Sequence, residues 1–270
     1  MEENLIPAGP IDAAVCLTRS LPNGELCGAG GMLRFANGKT AGAAMLSVIV
    51  PTLNAGERLY DCLVALRSGV GTGLVEEIIV VDGGSSDDTA RIARQAGAAV
   101  IASEPGRGNQ LAYGALKSVG SWFLFLHGDT VLRTEWLFAV EQFIEDEANA
   151  RRAGYFRFAL DDNSPAARRL ERMVAWRCER FGLPYGDQGL LLSRPFYGEV
   201  GGFRRLPLME DVDLVRRIGK ARLARIDVAA ETSAARYRKR GYTARSLRNL
   251  TCLALYFLGV PPRTLVRLYG

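Results

Sequence analysis

Two segments indicate the fold most clearly. They are LSVIVPTLN at residues 46–54 and EIIVVDGGSSDDT at residues 77–89. Each stretch starts as a short run of apolar, mostly β-branched residues and ends in small or polar ones. Runs of this kind are typical of strands buried on both faces of a sheet. Between them, apolar residues recur at the spacing of one helix face, at Leu59, Cys62, Leu63 and Leu66. The segment therefore predicts a strand, a helix and a second strand.

The same alternation continues along the chain. We predict strands at residues 46–51, 77–81, 98–102 and 122–126, with later helices at residues 87–96 and 109–119. Farther on, the pattern indicates a strand at 153–160 and helices at 166–181 and 211–218. Short apolar strands that alternate with amphipathic helices favour an α/β fold with a mostly parallel, Rossmann-like sheet flanked by helices. In such sheets ligands bind at the carboxyl ends of the strands.

The composition divides the chain into three parts. Residues 1–44 are glycine-rich without periodicity, and they are either a flexible leader or a spurious extension ahead of a natural start at Met45. Residues 45–231 are the predicted α/β domain. Residues 232–270 form a tail with eight Lys or Arg and no acidic residue; subtracting eight from the net charge of +5 leaves −3 for the rest.

Cysteine usage and hydropathy limit the location. The five cysteines are scattered and form no C-x-x-C pair, which argues against a disulfide framework or a structural zinc site. No stretch approaches the roughly 18 apolar residues that span a bilayer. We therefore expect a protein of the reducing cytoplasm, with the inner face of the membrane as an alternative.

Polar segments follow all four predicted strands, and they are Pro51-Thr52-Leu53-Asn54, Asp82-Gly83-Gly84-Ser85, Glu104-Pro105-Gly106-Arg107-Gly108 and His127-Gly128-Asp129. Small and polar residues at strand ends suit a site for phosphate and sugar groups. A helix beginning near Gly106 with an adjacent arginine suits an anion, although a solvated loop arginine is the alternative.

These segments resemble family 2 glycosyltransferases over residues 46–269. Residues 47–54 are similar to the family's first strand and loop, and residues 79–87 to its "VVDDGSTD" segment with Gly83 in place of the second Asp. His127-Gly128-Asp129 stands where the family places its D-x-D metal motif, and Met209-Glu210-Asp211 resembles its "ED" motif. The resemblance implies a GT-A fold, a UDP- or GDP-linked sugar donor and a divalent metal.

A bacterial subgroup is the most similar. It has H-(A/G)-D-T in place of D-x-D, and it carries "PYGDQ" and "LMEDV", which appear here at residues 184–188 and 208–212. Some members are labelled arsenosugar-biosynthesis glycosyltransferases, a label that gives one lead to the substrate.

Asp129 is the predicted metal ligand, because a carboxylate suits Mg²⁺ or Mn²⁺ and the cation can neutralise a departing nucleotide diphosphate. His127 is the only histidine. It is either a second ligand, which would favour Mn²⁺, or a residue that caps the strand by hydrogen bonding.

The resemblance also assigns the donor and acceptor sides. Asp82 contacts the nucleotide in this interpretation, whereas its structural alternative is an Asx-turn or N-cap that Asp87 would serve better. The further donor-side candidates are Pro51, Thr52, Asn54, Arg107 and Asp129. The acceptor-side candidates are Asp187 and Gln188.

Glu210 and Asp211 lie at the entry to a helix. Asp211 is the candidate base that takes the proton of an acceptor hydroxyl, which implies inversion at the anomeric carbon. The alternative is an N-cap carboxylate, a role that Asp211 or Asp213 would serve equally well.

The basic tail has apolar residues at helical spacing, at Leu247, Leu250, Leu253, Ala254, Phe257 and Leu258. A basic amphipathic helix suits a membrane surface; the alternative is a helix docked on the body with its arginines solvated. No recognised module accompanies the charge, so nucleic-acid binding is not expected.

Two other functions stay open. A nucleotidyltransferase would also use a Rossmann-like sheet and metal-bound carboxylates, but residues 51–54 lack its basic, glycine-rich loop. A non-catalytic nucleotide-sugar-binding or membrane-associated scaffold would tolerate Gly83 and His127, although it would not need to retain all the carboxylates.

Overall fold

The computed structural model describes residues 45–269. Residues 1–44, and with them the choice between a leader and a start at Met45, lie outside the described residues. The strands are β1 (Leu46–Thr52), β2 (Val75–Asp82), β3 (Ala99–Ala102), β4 (Trp122–Phe125), β5 (Thr130–Leu132), β6 (Ala153–Leu160), β7 (Leu190–Ser193) and β8 (Leu223–Thr232). The helices are α1 (Gly56–Thr72), α2 (Thr89–Gln95), α3 (Arg107–Lys117), α4 (Trp136–Glu145), α5 (Pro165–Phe181), α6 (Arg194–Glu199), α7 (Glu210–Ile218), α8 (Ala235–Arg240), α9 (Tyr242–Phe257) and α10 (Pro262–Tyr269).

The strands form one eight-stranded sheet in the order β3-β2-β1-β4-β7-β6-β8-β5. The four strands predicted first, β1 to β4, are parallel to one another where they pair, as the alternating pattern requires. β6 and β8 are also parallel, whereas β4 with β7, β6 with β7, and β5 with β8 are antiparallel. The fold is thus α/β with a mostly parallel sheet. The carboxyl ends of β1, β2 and β4 lie at the same edge of that sheet.

Side chains of β1 alternate between two apolar layers. Val48 and Val50 pack with the apolar face of α1, where Leu59 and Leu63 are fully buried. Ile49 points to the opposite layer, which is built from α3, α6 and α7. Because both faces of the central strands are covered by helices, every side chain of β1 is buried.

The predicted boundaries shift at several helices. α3 begins at Arg107 and not at Asn109, because Gly106 and Gly108 hide the start of the helical pattern. α2 begins at Thr89 rather than residue 87, since the Asp87 carboxylate accepts from the Thr89 N–H just ahead of the helix. The helices α4 and α6 and the strands β5, β7 and β8 were not predicted.

The basic tail forms three helices, α8 to α10. α9 packs on the body through Cys252 and Leu253, which are buried with residues of α7. In the described part of the chain, no helix has the length and apolar character needed to cross a membrane. The division at residue 231 stays a prediction.

Candidate active site

The ends of β1 and β2 are joined through Asp82. Its Oδ2 accepts from the Ser85 N–H at 3.0 Å, and its Oδ1 accepts from the hydroxyls of Ser85 and Thr52. Asp82 and Thr52 are both buried. The Asp82 carboxylate is thus engaged by a local side-chain-to-backbone bond three residues on and by two hydroxyls, and any nucleotide contact would have to coexist with these bonds.

Asn54 holds the neighbouring loop in place. Its φ of +51° is in the left-handed region, and its side-chain oxygen accepts from the Ser86 N–H at 2.9 Å. Its own N–H donates to the Ser85 hydroxyl at 2.9 Å. Asn54 is exposed, whereas Pro51 is a buried residue of β1, in register with Val81. Among these candidates, Asn54 therefore offers the most accessible side chain.

Gln110 is a residue of this edge that was not predicted to belong to the site. Its buried side chain donates from Nε2 to the carbonyl oxygens of Thr52 and Val81, both at 2.7 Å. The amide of one α3 residue thus holds the last residues of β1 and β2 side by side, which fixes the floor of the site.

Arg107 links this edge to the predicted base. It is the first residue of α3, and its Nε lies 2.9 Å from Oε1 of Glu210. Gly108 lets the helix approach the loop before Glu210, since a Cβ there would lie 2.4 Å from the Arg204 carbonyl oxygen. The two segments are 103 residues apart in sequence, and the pairing brings both into one site.

Glu210 is completely buried. Its Oε2 has no hydrogen-bond partner, and burial raises its pKa to about 7, against the effect of Arg107 and with a further rise from Asp211. Met209 just before it has φ of +65°, an uncommon conformation for a non-glycine residue. A buried carboxylate beside backbone strain is a combination that occurs at functional sites.

Asp211 is oriented by two backbone donors. Gly186 N–H donates to its Oδ2 at 2.8 Å, and Val212 N–H donates to its Oδ1 at 2.7 Å. Asp213 has a different task, because it pairs with Arg204 and Arg217. Neither carboxylate caps α7, whose N-cap is Met209 without a side-chain hydrogen bond, and Asp211 is half-buried in the wall of a pocket.

His127 lies against the same turn. A Cβ on Gly186 would be 2.5 Å from Nε2 of His127 and 3.4 Å from Oδ2 of Asp211. The imidazole and the Asp211 carboxylate therefore flank one glycine, and both line one pocket with Tyr185 and Glu210.

Asp129 is half-buried in the same loop as His127. Gly128 packs toward Thr52 at the end of β1, where a Cβ would be 3.3 Å from the threonine methyl. Below the loop, burial and the nearby Asp129 raise the pKa of the Cys62 thiol well above its usual range. This thiol is buried and structural.

The charges of other predicted site carboxylates act on the Asp187 carboxylate. Its Oδ1 is shielded from solvent and has no hydrogen-bond partner. Burial raises its pKa to about 6; Arg177 opposes the rise, while Asp211 and Asp129 add to it. Asp129 and Asp211 therefore both lie close enough to Asp187 to repel its charge.

Gln188, predicted on the acceptor side, is buried, and its amide is engaged by the protein. Its Nε2 donates to the Phe156 carbonyl at 3.1 Å, and its Oε1 accepts from the Tyr185 N–H at 3.3 Å. Arg177, which the sequence did not single out, stacks on Tyr185 with its guanidinium carbon 3.5 Å from the ring centroid. These contacts hold the turn that presents Gly186.

The carboxylates fit a metal site that a ligand would complete. Within residues 45–269, no three His, Cys, Asp or Glu side chains form a ready-made ligand set. A cation would nevertheless satisfy the orphaned Asp187 oxygen and relieve the repulsion that Asp129 and Asp211 exert on Asp187. Mg²⁺-type sites commonly use one or two carboxylates plus the phosphates of a substrate.

The fold resembles that of solved mycobacterial structures. Glucosyl-3-phosphoglycerate synthase from Mycobacterium tuberculosis, in complex with Mn²⁺ and UDP-glucose, has a TM-score of 0.54 and 18% identity, covering 77% of this chain and 78% of that chain. Another mycobacterial protein has a TM-score of 0.57 and 19% identity, with 81% and 76% covered. At these identities, the likeness shows the fold, and it confirms the predicted GT-A architecture.

Two curated relatives match over part of their length. Glycosyltransferase AglE from Haloferax volcanii is 33% identical over 105 residues, which are 36% of this chain and 34% of the relative. Glucosyl-3-phosphoglycerate synthase from Mycolicibacterium smegmatis is 33% identical over 95 residues, 32% of this chain and 31% of the relative. The chain thus spans about a third of the length of the curated relatives it matches.

The family model described as Glycosyl transferase family 2 matches residues 47–208, more than half of the chain. The match begins in β1, contains His127, Asp129 and the Gly186 turn, and ends just before Met209. This chain belongs to glycosyl transferase family 2.

Proposed function

We propose that this protein transfers a sugar from a nucleotide-diphosphate sugar to an acceptor hydroxyl, with inversion at the anomeric carbon. The observation that carries the proposal is the Asp211 carboxylate, which two backbone N–H groups orient in a pocket shared with His127 and Glu210. A positioned carboxylate is what a hydroxyl nucleophile requires of a general base.

The donor side lies at the ends of β1, β2 and β4. Arg107 at the start of α3 provides a cation and a helix N-terminus for the anionic donor. Asn54 is the accessible polar side chain of the β1 loop, with Pro51, Thr52 and Asp82 behind it. A solved structure with this fold holds Mn²⁺ with UDP-glucose, which makes a UDP-sugar the first donor to test and GDP-sugars the second.

The metal is proposed to be Mn²⁺ or Mg²⁺. Asp129 is the proposed ligand, and His127 is the second candidate. A bound divalent cation would supply positive charge that neutralises the departing nucleotide diphosphate.

The reaction follows from where the proton goes. Asp211 takes the proton of the acceptor hydroxyl while the acceptor oxygen forms a bond to the anomeric carbon. The bond from that carbon to the diphosphate oxygen breaks, and the nucleotide diphosphate leaves. The N–H groups of Gly186 and Val212 hold the carboxylate in one orientation during the transfer. Glu210 stays behind Asp211, paired with Arg107, and Asp187 lines the acceptor side.

The finer assignments are part of the same proposal. We place the chain in the H-x-D-T subgroup, with the arsenosugar label as one lead to the acceptor. We place it in the cytoplasm, which agrees with the buried, free thiols of Cys62, Cys178 and Cys252.

The experiment compares the wild type with Asp211→Asn. Release of UDP from UDP-glucose is measured with Mn²⁺ and acceptors that include 3-phosphoglycerate, and donor binding is measured by calorimetry. We expect UDP release to fall by about 10²–10⁴-fold, with donor affinity retained because asparagine still accepts from Gly186. UDP release that is the same in the variant and the wild type would contradict Asp211 as the base. Donor binding without any UDP release by the wild type would favour a non-catalytic scaffold, and release of pyrophosphate from a nucleoside triphosphate and a sugar 1-phosphate would favour a nucleotidyltransferase.

A further inference from the structure

The helix α9 has an unusual distribution of polarity. Its solvent-exposed positions recur at helical spacing and carry no charge; they are Thr243, Ala244, Leu247, Leu250, Thr251, Ala254 and Phe257. Leu247 and Leu250 are 66% and 58% exposed, and Leu258 just after the helix is 80% exposed. A helix that rests on a protein normally turns its apolar side inward, so this outward face needs another explanation.

The charges of α9 are on its inner side. Its two charged residues are Arg245, which is buried with its guanidinium 5.1 Å from the Tyr237 ring centroid, and Arg248, which is half-buried. The apolar residues that the sequence places at helical spacing therefore lie on two sides of α9, since Leu253 packs on the body while Leu247 and Leu250 face outward. The expectation that a docked helix would keep its arginines solvated is wrong for Arg245.

Basic residues lie beside the apolar face. The exposed Arg216 of α7 places its guanidinium 4.8 Å from the Phe257 ring centroid. Arg263 and Arg267 are exposed on α10, which packs on α9 through Leu265. From residue 232 onward the chain carries eight Lys or Arg and no acidic residue.

We propose that the exposed face of α9, flanked by Arg216, Arg263 and Arg267, docks on an anionic lipid bilayer. Exposed apolar side chains enter the interface, and arginines at its border attract anionic headgroups. A second copy of this chain would be a poorer occupant, because it would bring the same arginines face to face. The neighbouring α5 also exposes Trp176 at 60%, a residue type common at membrane interfaces.

Docking through α9 would place the catalytic pair near the bilayer. The inner side of α9 packs on Met209 and Val212, which flank Glu210 and Asp211. The inference deepens the predicted membrane contact of the proposed function and adds the surface and its lipid preference. Its test uses lipid without donor, so that the two proposals fail separately.

The experiment is flotation of the full chain with vesicles. One set is phosphatidylcholine alone, and the other is an equimolar mixture with phosphatidylglycerol. We expect the protein to float with the anionic vesicles, to bind the neutral ones weakly, and to be released as ionic strength rises. Failure to bind anionic vesicles would overturn the proposal.

Two variants and a control locate the surface. Leu247→Ser/Leu250→Ser should weaken partitioning by at least about tenfold, because two inserted side chains are lost. Arg263→Gln/Arg267→Gln should weaken it by about tenfold and reduce its salt dependence. The matched control, Leu116→Ser/Phe138→Ser, removes equally exposed apolar side chains on α3 and α4.

We expect the control to bind vesicles like the wild type, and all variants to bind donor in the absence of lipid like the wild type. The assignment of the surface would be overturned if the control lost as much vesicle binding as Leu247→Ser/Leu250→Ser, or if that α9 variant lost none. A wild-type dimer in sedimentation that the α9 variant abolishes, with no vesicle binding, would overturn it in favour of self-association.

Discussion

The backbone N–H of Gly186 donates to Oδ2 of Asp211 across 2.8 Å, and the same glycine faces the imidazole of His127. One turn thus sets the distance between the H-x-D segment and the proposed base. The turn is held from behind by Gln188 and by the stacking of Arg177 on Tyr185.

Gly186→Ala tests this arrangement. The new Cβ would lie 2.5 Å from Nε2 of His127, so that either the imidazole or the turn has to move. We expect UDP release to fall by at least about tenfold, with a loss of stability of about 1–3 kcal/mol. Turnover and thermal unfolding are both measured.

The matched control is Gly71→Ala in α1, where a Cβ meets nothing within 4 Å. It should keep full turnover and unfold at the same or a slightly higher temperature, because alanine favours a helix. Full activity in Gly186→Ala would show that the contact between the turn and His127 does not matter.

Gly108→Ala tests the approach of α3 to the loop before Glu210. Its Cβ would lie 2.4 Å from the Arg204 carbonyl oxygen and 2.7 Å from that of Leu206, and these backbone atoms have little freedom to move. We expect a loss of about 1–3 kcal/mol in the free energy of unfolding and weaker donor binding, since Arg107 is displaced. Denaturation and calorimetry measure the two effects.

Gly198→Ala in α6 is the control, because its Cβ would meet nothing within 4 Å. If Gly108→Ala bound donor as tightly as this control, the placement of Arg107 on the donor side would be contradicted.

Much of the central sheet was predictable from the sequence, because β1 to β4 are apolar runs between amphipathic helices. The strand-end residues followed from the rule for parallel sheets. The pairing of Arg107 with Glu210 was not predictable, since contacts 103 residues apart leave no periodic signal.

The tail shows a second limit of sequence periodicity. Its helical spacing was correct, but periodicity does not reveal which side of a helix meets the protein. β8, which lies next to the short edge strand β5, was missed because Arg225, Asp227 and Glu231 interrupt its apolar residues.

Glu210→Gln tests the buried carboxylate through pH. Burial raises the folded-state pKa of Glu210 from 4.5 to about 7. Between these values the folded protein binds more protons than the unfolded chain, so this group's contribution to stability falls as pH rises and is fully lost above about 7. Glutamine does not ionise. We therefore expect the stability of the variant relative to the wild type to increase from about pH 5 to about pH 8, with a slope of at most about 1.4 kcal/mol per pH unit.

Glu199→Gln should show the opposite dependence of stability on pH. Arg151 lowers the pKa of the exposed Glu199, so its variant should lose stability relative to the wild type as pH rises through the acid range. Thermal unfolding across pH measures both variants. A difference for Glu210→Gln that does not change with pH would contradict the raised pKa.

The most direct test of the central claim is calorimetric binding of UDP- and GDP-sugars to the wild type and to Asp129→Ala, each with Mn²⁺, with Mg²⁺ and with EDTA. We expect one donor to bind only with a divalent metal, and we expect Asp129→Ala to weaken this binding by at least about tenfold. Absence of nucleotide binding by the wild type under every metal condition, or donor binding by Asp129→Ala that equals the wild type with Mn²⁺, would contradict it.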